Sequence, residues 1–215
     1  MPSKSFENFY KKLLPDVSAL IKTHADMNPS GLGRRKLAHI TRSGVVMLCA
    51  AWELYIEDVA LESVRVLTKE ALIPDFLPDS IRGKIAQKAK NDKHNFGALK
   101  LCGQGWRQVY IDGVQEDVSN LNTPKFGNIK DIFSNWFDLP DISKVWTNHT
   151  DCLNEFVGLR GEIAHRGASA GYVTIVKLTE FSRLIQTFVN DTDNGLSEHL
   201  EKIGLNKKKP WRKQP

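Results

Sequence analysis

Apolar residues recur at steps of three and four along almost the whole chain, and the most continuous run, from about His39 to Leu72, dictates what it can fold into. Val45, Leu48, Cys49, Trp52, Tyr55, Ile56 and Val59 form one stripe, which predicts a long central helix in an all-α bundle. Glu53 and Glu57 sit one turn apart beside this apolar face, so at least one of them needs a cationic partner.

The flanking segments repeat the pattern. Phe6, Phe9, Tyr10, Leu13, Leu14, Val17, Leu20 and Ile21 predict an N-terminal helix that Pro15 kinks or interrupts, and MNPSGLG reads as a loop. Between about 74 and 150 the pattern weakens, with Pro74, Pro78, Pro124 and Pro140 and scattered glycines marking an inserted segment of short helices. Helices are expected over Ser80 to Lys90 and over Asn128 to Phe137, the second capped by Asn128; Val109 to Ile111 with Val114 reads as a small hairpin at most. Helical order returns from Cys152 to Arg166, where Leu153, Phe156, Val157, Ile163 and Ala164 share a face and Gly167 is the stop. Tyr172 to Val176 reads as an extended connector, and a last helix is expected from a Thr179 cap through Phe181, Leu184, Ile185, Phe188 and Val189. Residues 1–204 read as one domain and 205–215 as a basic, flexible tail.

Charge is segregated. The 215 residues carry a formal net charge of +5, yet Lys207, Lys208, Lys209, Arg212 and Lys213 supply all of that excess. Arg82, Lys84, Lys88, Lys90, Lys93, Lys100 and Arg107 form a second basic stretch, with Asp92 its lone acid, and Arg34, Arg35, Lys36 and Arg42 form a third cluster. Such patches attract polyanions, RNA among them, and Trp211 inside the tail is a candidate for stacking on bases. No apolar run reaches the ~18 residues of a membrane helix and no secretion signal opens the chain, so a cytoplasmic protein is expected. Cys49, Cys102 and Cys152 make no disulfide framework, the histidines have no metal-ligand spacing, and a P-loop is missing, which argues against structural zinc and P-loop nucleotide hydrolysis.

The chemistry concentrates in LRGEIAHRG. Arg160 shares the stripe of Phe156 and Val157, so burying that face buries a guanidinium that must find an anion. An imidazole can both take and give a proton near neutral pH, which makes His165 the acid-base candidate. Together they match RNA backbone cleavage: a base for the 2′-hydroxyl, an acid for the departing 5′-oxygen, and fixed positive charge for the phosphorane. At about 100° per residue, however, their offset separates them by roughly 140°, so they converge only if the helix ends or distorts before Gly167 or if two subunits pair. The alternative is structural: Arg160 bridged to Glu53 or Glu57, and His165 at the helix C-terminal dipole.

AWELYIEDVALE in the long helix, LNTPKFGNIKDIF in the insertion and LRGEIAHRG before the last helix together resemble the HEPN superfamily, and within it the RiboL-PSP-HEPN group. The resemblance implies a HEPN-like helical bundle that dimerises so that two Arg-His motifs face one another, cleaving RNA with no metal or cofactor in a toxin or phage-defence role. It makes Arg160 and His165 the catalytic pair, with Glu53 orienting one of them and Glu162 supporting; Arg82, Lys84, Lys88, Lys93 and Arg166 are the expected RNA contacts. An antitoxin or regulatory protein is an implied partner. Active members commonly carry Asn or Asp directly after the Arg where this chain has Gly161, and the rival reading is a non-catalytic HEPN protein that binds RNA or a partner protein.

Overall fold

The computed structural model describes residues 1–31, 36–94 and 96–214. Its elements are α1 (Lys4–Asn8), α2 (Leu14–Met27), α3 (Ala38–Glu70), α4 (Asp79–Lys90), α5 (Gly105–Ser119), α6 (Phe126–Phe137), α7 (Thr150–Arg166) and α8 (Ile175–Ile203), with short 3-10 turns between several of them. No strand occurs among the described residues, and the bundle is all-α. No helix among them is long and apolar enough to cross a membrane.

α3 is the axis. Its 33 residues extend about 50 Å at 1.5 Å per residue, and the stripe from Val45 to Leu67 is buried against α2, α5, α7 and α8. Tyr55 donates to Val189 O at 3.1 Å and Thr41 to Val173 O at 2.7 Å, which fixes α8 and the connector before it along this axis. Trp52 donates to Pro124 O at 3.1 Å, tying the Asn-Thr-Pro turn to the same helix. The N-terminal helix is interrupted as Pro15 demands: Phe9–Leu13 is a π-helical turn, and α2 restarts with the proline in its first turn, where the missing N–H costs nothing.

The inserted segment departs from expectation. Val109 to Val114 lie in α5, not in a hairpin; Trp106, Val109, Tyr110, Val114 and Val118 are its buried side. Gly113 sits mid-helix because a Cβ there would collide with the Trp136 ring. α6 starts earlier than expected, at Phe126, whose N–H donates to Asn154 Oδ1 of α7 at 3.1 Å, while Asn128 donates to Thr123 O rather than capping. α8 likewise begins at Ile175 with Thr174, not Thr179, as its cap, and only 170–174 is extended. On α7, Ala164 is exposed rather than part of the buried face.

The C-terminal segment is ordered against the bundle instead of forming a flexible tail. Trp211 is buried, its indole donates to Asp193 O at 2.9 Å, and its carbonyl accepts from Ser197 at 2.7 Å, so it is core and not a base-stacking residue. Arg212 N donates to Met1 O at 2.9 Å, which joins the two chain ends. Beneath them lies Asp193, with no exposed surface, accepting from the Ser3 hydroxyl through Oδ1 while Oδ2 has no partner.

Two outcomes test this packing. Gly113→Ala should destabilise by about 1–3 kcal/mol despite alanine's better helix propensity, because the added methyl overpacks Trp136; urea unfolding measures it. Burial lifts the Asp193 carboxyl from its ordinary 3.8 to about 6. The folded state therefore holds this proton where the unfolded state has lost it, and Asp193 makes stability fall as pH rises from about 4 to about 6. Urea midpoints across that range should show the decline in wild type and lose this component in Asp193→Asn.

Candidate functional site

α3 and α7 bring the motif together. Capped by His149, α7 is held along α3 by buried Leu153, Phe156, Val157 and Ile163, and this orientation turns Arg160 toward Glu53. The Arg160 Nη2 to Glu53 Oε2 distance is 3.5 Å, with about a quarter of each side chain exposed. That is an ion pair but not a tight bond, since charge-assisted hydrogen bonds run at about 2.7–2.9 Å. Glu53 Oε2 accordingly has no hydrogen-bond partner although it is buried. Of the two acids expected to meet the guanidinium, Glu53 does so; Glu57, one turn on, has no ion pair among the described residues.

Desolvation raises the Glu53 carboxyl above its usual range while the Arg160 charge opposes the shift. Glu57 is also raised, first by desolvation and then by the neighbouring Glu53 and Asp58 charges. Cys49, one turn before Glu53, is buried and has its thiol pushed up to about 11, chiefly by desolvation. It is packing, not a nucleophile. The guanidinium thus sits among one half-buried carboxylate and apolar walls, with N–H groups left over for another anion.

His165 lies in the last turn of the same helix, exposed and without a hydrogen bond or ion pair among the described residues. α7 remains α-helical through Arg166 and stops only at Gly167, whose φ is +53°. The helix therefore neither ends nor distorts between Arg160 and His165, and the roughly 140° between them persists within one chain. Glu162 is exposed and has no ion pair among the described residues.

The expected RNA contacts fare differently from one another. Arg82 is paired with Asp79 and with Asp75 at 3.1 Å, Lys88 with Glu116, and Lys100 with Asp92 at 2.6 Å. Lys84 lies 5.4 Å from the Trp136 ring centroid, and Arg107 donates to Ala71 O at 2.8 Å. Three of the seven cations of the stretch are thus paired, with acids from just before it, from within it and from α5. Lys93 and Arg166 stay exposed without ion pairs. Arg34 and Arg35 of the third basic cluster lie outside the described residues. Among the described residues no group of three or more His, Cys, Asp or Glu is arranged to hold a metal ion.

A bundle built on one long helix, with an Arg and a His closing the helix packed against its Trp-Glu segment, defines a HEPN-type domain. The family model described as RiboL-PSP-HEPN matches residues 8–198, and the chain belongs to that family. Neither the curated proteins nor the solved structures compared give a match.

Gly161 leaves room for the polar residue it replaces, since nothing lies within 4 Å of a Cβ built there. Gly161→Asn should therefore fold, gaining a few tenths of a kcal/mol from helix propensity in a thermal or urea melt.

Proposed function

We propose that this protein is a metal-independent endoribonuclease whose cleft forms between two copies of the chain. The observation that carries the proposal is the disposition of α7: a guanidinium held loosely by one carboxylate, and an exposed, unpartnered imidazole on the same regular helix. Within one chain the two diverge, so a reaction using both needs a second α7 facing the first. A surface suited to that lies beside the pair: Val46 and Leu54 are 38% and 44% exposed on α3, and Val46, Ala50, Glu53 and Glu57 follow one line along it.

In such a dimer one His165 takes the proton from the ribose 2′-hydroxyl as O2′ bonds to phosphorus. The P–O5′ bond breaks, the leaving oxygen receives a proton from the second His165, and Arg160 offsets the charge on the equatorial oxygens. The products are a 2′,3′-cyclic phosphate and a 5′-hydroxyl. Glu53 fixes the Arg160 side chain, and Lys93 and Arg166 are free to meet flanking phosphates. Control by an antitoxin or sensor protein, in a defence or toxin role, fits an enzyme of this kind. Gly161 supports a second reading, a non-catalytic member that binds RNA at the same cleft, because the residue after Arg160 offers no side-chain hydrogen bond.

Purified protein incubated with total RNA and transfer RNA in excess chelator should yield cyclic-phosphate ends. His165→Ala should abolish the cleavage, and Arg160→Ala should lower it about 10²- to 10³-fold. A folded, dimeric wild type that leaves every RNA intact, alone and as Gly161→Asn, would favour the binding reading.

A further inference from the structure

Within the 81–110 stretch Arg82, Lys88 and Lys100 are in ion pairs, and a separate group of cations without ion pairs among the described residues lies near the joined chain ends. Two adjoining grooves of about 440 and 510 Å³ run along the C-terminal half of α3 and share Val66 and Lys69 as a common wall. The first is closed by the N-terminal segment through Lys4 and Ser5, the second by the C-terminal segment through Leu205, Asn206 and Pro210. They form one trough. Lys4, Arg65 and Lys69 line it, all exposed, and Lys208 and Lys209 stand exposed on the loop between Asn206 and Pro210. None of the five is in an ion pair among the described residues.

The acids in the trough are mostly committed. Glu62 accepts from the N–H groups of Lys4 and Ser5 and from the Ser5 hydroxyl, at 2.7–2.9 Å, and Asp58 accepts from Asn8 at 3.1 Å. Glu70, on the wall of the second groove, lies against Gly204. These half-buried carboxylates keep their charge and balance Lys4, Arg65 and Lys69 within the lining, so the excess positive charge comes from Lys208 and Lys209 on the loop beside it, over a floor of Val66 and Leu72 side chains. Arg65 and Lys69 are one turn, about 6 Å, apart along the helix.

We propose that this trough is an RNA-anchoring site separate from the Arg160–His165 cleft, holding a single strand by its phosphates. The chemical class rests on the ribonuclease or RNA-binding reading above; the place and the residues do not. Separation follows from the helix: Lys69 is about 24 Å along α3 from Glu53 and roughly 160° around it, so a strand in the trough lies off the cleft of its own subunit. The site exists only because the C-terminal segment is docked. Trp211 pins that segment to α8, and Lys207 Nζ donates to Lys202 O at 2.5 Å, which leaves Lys208 and Lys209 to face outward.

The test uses the full-length protein and a fluorescein-labelled 2′-O-methyl RNA, which binds but lacks the free hydroxyl for cleavage, read by anisotropy over a salt series. Changing Arg65, Lys69, Lys208 and Lys209 together to alanine should weaken binding about ten-fold or more and reduce the salt slope by about 3, the value for losing four phosphate contacts on a single strand. Should that variant fail to fold, Lys208→Glu with Lys209→Glu, confined to an exposed loop, should weaken binding in the same sense. Binding at wild-type strength by the folded variants overturns the proposal. So does a loss that instead follows alanine at Lys88 and Lys93, or a wild type that ignores RNA and binds polyglutamate-like acidic peptides. A wild type that binds through the trough yet cuts no RNA sinks the ribonuclease reading alone and leaves the anchor standing.

Discussion

Burial around α3 governs everything else in this fold. A helix of this length with a buried stripe on most of its circumference cannot be satisfied by one neighbour, so α2, α5, α7 and α8 must surround it. Its polar atoms then become fixed points, as Trp52 holds the Asn-Thr-Pro turn and Tyr55 holds α8. Glu53 is carried into the half-buried margin of that stripe, and α7 has to present a cation there. A carboxylate left in that position without Arg160 would be a desolvated charge with no compensation.

The same margin explains why the Arg160–Glu53 pair is loose. A pair closed by short, bidentate bonds would leave the guanidinium little to offer a ligand, and at 3.5 Å it holds direction without saturating its donors. His165 is treated in the opposite way: placed beyond the packed part of α7, it has nothing from its own chain to set its orientation. One group is fixed and the other is left open, which suits a cleft completed by a second copy.

Charge in this protein is decided by folding as much as by composition. Arg82 and Lys88 read as part of a bare basic strip only while Asp75, Asp79 and Glu116 are ignored, and two of these acids precede the strip while the third lies on the helix packed beside it. The C-terminal lysines read as a solvated tail until Trp211 is seen in the core. In both cases a count along the chain misjudged which charges share a surface, because ion pairing depends on distance in space.

The sequence by itself determined the all-α class, the course of α3 and the position of the Arg-His motif, because helical periodicity and Gly167 are local signals carried by side-chain type and spacing. It obscured α5, where Gly103, Gly105 and Gly113 read as breakers; the reason for Gly113 is a Trp136 ring from another helix, and no local rule contains it. It left open whether Glu53 or Glu57 would meet Arg160, and whether the helix would bend His165 toward it. Only the tertiary structure decided these, through the rotation at which α7 packs on α3 and the straight run of α7 to Arg166. It also decided the fate of the C-terminal segment, where the buried Trp211 indole outweighs the local preference of a lysine-rich segment for water.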